Sequence, residues 1–351
     1  MPDLVFESGQ GRGYFGRRKI YIMKIYSNEE NIALISSMIS KGREPHSIAV
    51  CGEKGQGKKT LAKYIAAMLL CQDAENRPCG VCKSCRMLEH NAHPDFITAQ
   101  ANENGNYQVE TIRSLVSDAV VKPNEGRFKV YLIPDLDRSV STSVQVQNIL
   151  LKLIEEPPAH CVIILTAASK QTFLKTIISR VLCLTAKPCT DADSSDFLRA
   201  LKKYPETAVR EAVSCGHGNI GRCLDFLEGD VLPAAYKIAV GCTRAMLAHD
   251  EYEILHSLFG ADGKKAVFRQ SLVFLSEIAR DACAARLGIK SRFGCCPDGA
   301  AGLAAMLNEE TLRQLYGLLC DYIGRVDSNC NLALTMNSLS GEICAVISRP
   351  V

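Results

Sequence analysis

The sequence predicts an α/β domain built on a parallel sheet, followed by a chain that is helical to its end. In the first half, short apolar strand segments alternate with helical stretches, as in a parallel sheet covered on both faces. A glycine-rich turn joins one strand, residues 47–51, to the helical pattern of residues 61–70. Strand signals stop after about Lys187, so we expect a small helical domain over 188–231 and an all-helical domain over 232–351.

The individual elements follow from the apolar pattern of each segment. A first helix is predicted over 28–40, where capping residues precede apolar residues at helical spacing. Beyond the strand at 47–51 and the helix at 61–70, the strand candidates are 95–98, 128–133, 161–165 and 181–184. Helical stretches at 109–119 and 149–154 lie between them, and Pro157-Pro158 ends the second.

Composition narrows the class of protein. The 351 residues suit two or three domains, and no apolar run approaches the length of about 18 residues that a membrane span needs. A net charge of +3, from 41 basic and 38 acidic residues, argues against a protein that binds nucleic acid mainly by charge. The N-terminus lacks the apolar core of a secretory signal, so we expect a cytoplasmic protein with reduced cysteines.

The first 22 residues differ from the rest, because they are Gly-rich and basic and carry no periodic apolar pattern. They fit either a flexible basic arm that touches nucleic acid or an extension upstream of a natural start at Met23. The second interpretation is favoured, since nothing in the segment could nucleate a fold. The α/β domain is therefore predicted to span 23–187.

Residues 52–59 follow the phosphate-loop pattern G-x-x-x-x-G-K up to its last position. Gly52, Gly55 and Gly57 would turn backbone N–H groups toward phosphate, and Lys58 would reach the terminal phosphates. A chance glycine turn is the alternative, which the position between a strand and a helix disfavours. The last position should carry a Ser or Thr hydroxyl for Mg²⁺, but Lys59 stands there and would repel a metal.

The acidic motif after the third strand is altered as well. A nucleotide hydrolase needs one carboxylate there that supports the metal and a second that activates water. Pro134 stands at the metal-side position, and Asp135 and Asp137 are interpreted as solvated turn residues rather than catalytic ones. We therefore expect that this chain does not use ATP and Mg²⁺ itself.

Four cysteines have the spacing of a metal site, C-x7-C-x2-C-x2-C: Cys71, Cys79, Cys82 and Cys85. Four thiolates suit a structural zinc ion with no open coordination position. Four free thiols or an iron–sulfur cluster are the alternatives. His90 and His93 are interpreted as structural residues rather than ligands, and the remaining cysteines are assigned to packing. The predicted zinc module spans 71–93.

Three further segments resemble those of bacterial clamp loaders, the AAA+ family of DNA polymerase III subunits. Residues 148–158 resemble their N-x-L-L-K-x-L-E-E-P-P helix, and Ser179-Arg180-Val181 resembles their S-R-C motif with Val in place of Cys. Residues 329–336 are similar to the N-x-N-x-x-L signature of the C-terminal collar. The resemblance spans about 26–345 and implies an AAA+ domain with a zinc insert, a helical lid at 188–231 and a collar domain at 232–351.

The departures from the family pattern indicate which branch the chain resembles. Lys59, Pro134, two central alanines in the segment 166–169, and Gly221 in place of a sensing arginine all differ from an active gamma/tau subunit. The resemblance therefore implies the delta-prime branch: an ATPase-deficient stator that helps load the sliding clamp onto primed DNA. It implies that Arg180 acts in trans as an arginine finger in a neighbouring gamma/tau site.

The same resemblance implies the partners: gamma/tau and delta subunits, the sliding clamp indirectly, and primer–template DNA within the complex, with no membrane. Two other functions remain open. An active gamma/tau-type ATPase would hydrolyse ATP as an isolated chain. A zinc-dependent nucleic-acid-binding module would bind DNA alone in a salt-dependent manner, although the near-neutral charge argues against it.

Overall fold

The computed structural model describes residues 25–103, 105–138, 143–289, 294–328 and 330–348. The predicted extension at 1–22 and Asn329 of the collar signature lie outside the described residues. Within them, no helix is both long and apolar enough to cross a membrane.

A five-stranded parallel sheet forms the centre of the first half of the chain, as the apolar pattern predicts. Its strands lie in the order β2-β3-β4-β1-β5. Val130 of β3 aligns with Phe96 of β2 and with Val162 of β4, which sets the parallel register. The strands are β1 Ser47–Cys51, β2 Phe96–Thr98, β3 Lys129–Ile133, β4 Cys161–Ala167 and β5 Leu182–Thr185. Every residue of β1, β3 and β4 is buried, which explains why these strands read as continuous apolar runs.

Helices connect the strands, so each parallel pair is joined by a crossover. They are α1 Glu29–Ser40, α2 Lys58–Leu70, α3 Lys83–Glu89, α4 Val109–Asp118, α5 Ser143–Glu155 and α6 Lys175–Ile178. Helix α5 begins at Ser143, six residues before the predicted stretch at 149–154, because Val144 and Val146 alternate with polar residues there, a period of two that is typical of a strand rather than a helix. Helix α2 likewise begins at Lys58, inside the phosphate-loop motif.

After β5, every regular element of the described residues is a helix, as expected from the loss of strand signals. These helices are α7 Asp191–Ala200, α8 Glu206–Gly216, α9 Ile220–Glu228, α10 Val231–Ala248, α11 Glu251–Phe259, α12 Lys265–Arg286, α13 Pro297–Met306, α14 Glu309–Asp327 and α15 Leu332–Ile347. Their apolar faces share one core, in which Phe268 and Phe274 of α12 and Tyr322 of α14 are fully buried.

The described residues form two compact units. One contains 30–50 and 59–184, and the other contains 26–29, 51–58 and the chain from Thr185 onward. The glycine-rich loop therefore groups with the helical half rather than with the sheet that precedes it in sequence. The division of the helical half into a lid and a collar at 231/232 stays a prediction.

Candidate functional site

The phosphate-loop motif adopts the backbone turn that its glycines predict. Gly55 and Gly57 have φ values of +90° and +75°, in the left-handed region that side chains with a Cβ disfavour. The Lys58 ammonium donates to the carbonyls of Gly52 and Glu53 at 2.8 and 3.0 Å. Lys58 is only 7% exposed, so its charge is turned back onto the loop itself.

A contact of this loop that the sequence did not predict involves the start of α9. The Asn219 side-chain amide donates to the Lys54 carbonyl at 2.8 Å, and the Gly221 amide donates to the Gly55 carbonyl at 3.0 Å. Asn219 is also the N-cap of α9, since its side-chain oxygen accepts from the Arg222 amide at 3.0 Å. An asparagine before an apolar helical pattern could have predicted the N-cap of α9. The sequence could not predict the contact of Asn219 with Lys54, which lies 165 residues away.

Lys59 and Asp135 form an ion pair between the start of α2 and the end of β3. The Lys59 ammonium lies 2.9 Å from a carboxylate oxygen of Asp135, whose side chain is 14% exposed. The Asp135 amide donates to Thr166 Oγ1 at 2.8 Å, which fixes the residue in a left-handed conformation with φ of +48°. The interpretation of Asp135 as a solvated turn residue is therefore wrong, because packing and the Lys59 ammonium shield its carboxylate from water.

A cavity of about 570 Å³ adjoins this ion pair. It is lined among others by Lys63, whose ammonium donates to the Asn91 side-chain oxygen at 2.7 Å. Burial, and to a lesser degree the neighbouring charge of Lys59, lowers the pKa of Lys63. The side chains of two lysines, Lys59 and Lys63, therefore line this cavity.

The four cysteines of the predicted metal site converge on one point. The sulfur atoms of Cys71, Cys79, Cys82 and Cys85 all lie within 4.8 Å of one another. Backbone amides of Cys79, Cys82 and Cys85 each donate to the sulfur of an earlier cysteine in the cluster at 3.4 Å. Zn–S bonds of about 2.3 Å in a tetrahedron need sulfur atoms spaced by about 3.8 Å, so this donor set fits a zinc ion.

The thiols of the cluster differ in pKa: burial raises the pKa of Cys71 and of Cys85, whereas the pKa of Cys82 is lowered. Burial raises the pKa of the Cys82 thiol, but hydrogen bonds from the backbone of Gln72 and Cys85 outweigh it and lower this pKa to about 7. A thiolate is the form that binds metal. The Cys82 sulfur also caps α3 by accepting from the Cys85 amide, so the same atom serves the helix and the cluster.

The two nearby histidines do not join the four sulfurs. His93 is 4% exposed, and its Nδ1 accepts from the Asp95 amide at 3.0 Å. His90 ends α3, with its amide bonded to the Arg86 carbonyl. Both contacts agree with the interpretation of these residues as structural.

Arg180 lies at the end of α6 with its guanidinium held on three sides. Its Nε is 3.2 Å from Glu155 Oε1, and its Nη1 donates to the Thr176 carbonyl and the Ser179 hydroxyl, both at 3.0 Å. The side chain remains 43% exposed. Glu155 belongs to the segment 148–158, so two separate sequence motifs meet at this guanidinium.

Comparison with known proteins gives a consistent set of relatives. A family model described as DNA polymerase III, delta subunit, matches residues 27–190. The gamma subunit of DNA polymerase III from Buchnera aphidicola is 31% identical over 211 residues, covering 58% of this chain and 57% of that protein. The delta' subunit from Pseudomonas aeruginosa is 33% identical over 190 residues, covering 53% and 57%.

The matched regions are only part of each relative. The tau subunit from Salmonella typhimurium is 35% identical over 159 residues, covering 45% of this chain and 24% of that protein. The chain thus spans from about a quarter to little more than half of these relatives. A solved structure of a gamma subunit-related protein from Thermotoga maritima covers 90% of this chain and 99% of its own, at 16% identity and a TM-score of 0.38.

Proposed function

We propose that the chain is an AAA+ clamp-loader subunit of DNA polymerase III and that it acts as the ATPase-deficient, delta-prime-like subunit, a proposal supported by its similarity to gamma and delta' subunits and to the delta-subunit family model over residues 27–190. In this role it helps load the sliding clamp onto primed DNA without hydrolysing ATP itself. Its partners are gamma/tau and delta subunits, the clamp through delta, and primer–template DNA within the complex.

The Lys59–Asp135 ion pair carries the proposal. Hydrolysis needs Mg²⁺ held by a hydroxyl of the phosphate loop and by a carboxylate after the third strand. Here Lys59 occupies the position of the hydroxyl. Its ammonium lies 2.9 Å from the carboxylate of Asp135, which follows the third strand. A divalent cation would have to displace Lys59 from a mostly buried partner, which favours the delta-prime role over an active gamma/tau-type ATPase.

Arg180 is the group through which this subunit would act on a neighbour. A guanidinium has a permanent charge and a planar set of donors, so it can stabilise the charge that develops on a transferred phosphoryl group. The contacts with Glu155, Thr176 and Ser179 orient the side chain while leaving part of it exposed. That combination suits an arginine finger presented to the ATP site of a gamma/tau subunit.

The remaining parts of the chain have supporting roles in this proposal. The module at 71–93 would hold one structural zinc ion through Cys71, Cys79, Cys82 and Cys85, since their sulfur atoms already converge. The glycine-rich loop with Gly52, Gly55, Gly57 and Lys58 would be a degenerate phosphate loop. Residues 188–231 would form the lid, and residues 232–351 would form the collar that joins the subunits.

The test is ATP turnover by the reconstituted complex of this chain with gamma/tau and delta subunits, in the presence of clamp and primed DNA. We expect Arg180→Ala to leave assembly intact but to lower turnover and slow clamp loading. A finger is worth ~10³–10⁵ at a single site, and the effect on the whole complex is smaller because other sites keep their own arginines. Arg180→Lys should rescue poorly, because lysine lacks the planar fork.

Arg127→Ala is the control for the loss of an exposed guanidinium on the same unit, since the Arg127 side chain is 69% exposed and pairs with the Glu44 carboxylate at 2.9 Å. Unchanged turnover in a correctly assembled Arg180→Ala complex would refute the trans-acting role. ATP hydrolysis by the isolated wild-type chain would instead support the active ATPase. Salt-dependent DNA binding by the isolated chain would support the zinc-dependent nucleic-acid-binding module.

A further inference from the structure

The segment 217–222 joins α8 to the first turn of α9, and its backbone lies against the glycine-rich loop. His217 and Gly218 both have left-handed φ values, +52° and +75°, which reverse the chain after α8. The Gly218 carbonyl accepts from the Cys189 amide at 2.7 Å, and a Cβ on Gly218 would overlap the Cys189 carbonyl. The turn is therefore fixed before α9 begins.

Beyond the two hydrogen bonds of Asn219 and Gly221, the segment and the loop pack without space for side chains. A Cβ on Gly221 would overlap the Cα of Gly55, and a Cβ on Gly55 would overlap the side-chain oxygen of Asn219. Glycine is thus required at both positions by the close approach of the two backbones. At Gly55 the left-handed φ adds a second requirement.

A buried carboxylate on α12 holds the same segment from its other side. Glu277 accepts from His217 Nε2 at 3.1 Å and lies 3.3 Å from Arg222 Nη2, and its own side chain is only 12% exposed. Burial alone would raise the pKa of Glu277. The contacts with His217 and Arg222 outweigh burial and lower this pKa, so the carboxylate is held in its charged form. Glu277 therefore anchors both ends of the segment that contacts the loop.

Four backbone carbonyls of the loop accept hydrogen bonds from within the chain. The carbonyls of Gly52 and Glu53 receive the Lys58 ammonium, and those of Lys54 and Gly55 receive Asn219 and Gly221. A nucleotide would need the Lys58 ammonium and a loop free to fold around phosphate. Opening the loop would break several hydrogen bonds at once.

From these contacts we propose that residues 217–222 lock the phosphate loop in a closed, self-bonded state that does not accept a nucleotide. The former phosphate site then serves as a structural joint between the loop and the helical half of the chain. The inference rests on the proposed ATPase-deficient role, because a hydrolysing subunit would need this loop open. It gives a reason why a nucleotide would not bind that is separate from the altered metal-ligand position.

The test is hydrogen exchange of the amides of residues 53–57 in the full chain, with and without ATP, in Mg²⁺ and in EDTA. Asn219→Ser keeps an N-cap oxygen for α9 but loses the amide that bonds Lys54. We expect it to speed exchange of the loop about tenfold, as the loss of one hydrogen bond implies. Gly221→Ala should have a larger effect, because its Cβ pushes the two backbones apart.

Each variant has a matched control elsewhere in the helical half. Asn308→Ser alters another asparagine N-cap, on α14, whose side-chain oxygen accepts from the Thr311 amide, and Gly317→Ala adds a Cβ to α14 where nothing lies within 4 Å. Neither should change exchange of residues 53–57. Loop exchange in Asn219→Ser equal to that of the wild type would overturn the lock, as would protection of the wild-type loop by ATP. Neither readout depends on hydrolysis, so a failure of the lock is distinguishable from a failure of the delta-prime role.

Discussion

At the level of single residues, the environment of Asp135 determines what its ion pair with Lys59 contributes. A fully exposed pair would contribute at most about 1 kcal/mol. Asp135 is 14% exposed and Lys59 is 47% exposed, so removing the lysine leaves a mostly buried carboxylate without its ammonium. In the proposed function the pair would exclude a metal ion, and its burial also gives it a structural role.

Lys59→Met tests the structural role. We expect it to lower the free energy of unfolding by about 1 kcal/mol, and we expect Asp135→Asn to reduce part of that loss when the two changes are combined. Chemical denaturation of the single and double variants measures the coupling. Lys54→Met is the control, because its contact with Asp225 is 3.9 Å long and both side chains are more than 60% exposed. Strictly additive effects at Lys59 and Asp135 would contradict the coupling.

Asp95 is a second residue whose charge is fixed by its surroundings. It is fully buried, and it accepts from the amides of Asn124 and Glu125 at 2.6 and 2.7 Å. Burial alone would raise the pKa of Asp95, but these hydrogen bonds outweigh it and lower the pKa. Because the folded pKa lies below the unfolded value of about 3.9, the stabilisation is complete above that pH. It is lost as the pH falls through the folded pKa.

Asp95→Asn should therefore flatten the decline in stability below about pH 4. It should also cost on the order of 1–3 kcal/mol near neutrality, since a charged acceptor of two backbone amides is lost. Unfolding free energies measured from pH 2 to pH 7 check both effects. Asp321→Asn, at an exposed position on α14, should leave the pH profile unchanged. An unaltered acid slope in Asp95→Asn would show that other carboxylates control acid unfolding.

At the level of elements, the segment around α3 shows a short helix that depends on few contacts. Helix α3 has seven residues, too few for a stable helix by propensity alone. Its N-cap is the Cys82 sulfur, and Ser84, Cys85 and Leu88 are its buried residues. Such an element needs a cross-link, and four converging sulfur atoms can supply one through a metal ion.

Cys82→Ser separates the cap from the metal, because serine is itself a good N-cap but a poor zinc ligand. We expect the variant to lose zinc and to exchange the amides of 71–93 faster, since zinc binding contributes on the order of 10 kcal/mol in zinc-finger peptides. Chelation of the wild-type zinc should have the same effect, and so should acid, which protonates the thiolates. Zinc content per chain is the measurement.

Cys320→Ser is the control for that experiment, since Cys320 is exposed on α14, outside the cluster. Wild-type protein purified under reducing conditions without zinc would contradict the metal site. So would a Cys82→Ser variant that retains a full equivalent.

At the level of the whole molecule, the sequence predicted the strands and motifs whose residues lie close together in the chain. Strands β1, β3 and β4 are buried along their length, so their apolar runs were unambiguous. The phosphate loop and the cysteine cluster each lie within fewer than twenty residues, so spacing alone indicated them. The start of α5 was missed, because Val144 and Val146 alternate with polar residues and so lack a helical period.

Contacts between distant parts of the chain could not be predicted in the same way. The bond from Asn219 to Lys54 spans 165 residues, and nothing in either segment indicates the other. The pairing of Lys59 with Asp135 needed the parallel sheet to bring the end of β3 to the start of α2. Local sequence pattern therefore identified the altered motifs. The tertiary structure was needed to show the contacts that their residues make, from Lys59 to Asp135 and from Lys54 to Asn219.

Lys58→Ala tests the consequence for the assembled clamp loader. In an active subunit, the loss of this lysine would abolish ATP use. Here we expect the reconstituted complex to retain its ATP turnover and loading rate, because the Lys58 ammonium already bonds Gly52 and Glu53. The same substitution in the gamma/tau partner is the positive control. A large loss of loading with this chain's variant would show that a nucleotide bound here still matters.

The close approach of Gly221 to Gly55 also bears on how the lineage of this chain can change. An arginine restored at 221 would collide with the Gly55 backbone unless the loop moved first. A hydroxyl restored at 59 would gain a metal ligand but leave that loop bonded to Asn219. Neither replacement alone would therefore supply both the metal ligand and the free loop that ATP hydrolysis needs. In the proposed ATPase-deficient role, a return to catalysis would thus need at least two coordinated changes, one at position 59 and one at the contact between Gly221 and Gly55.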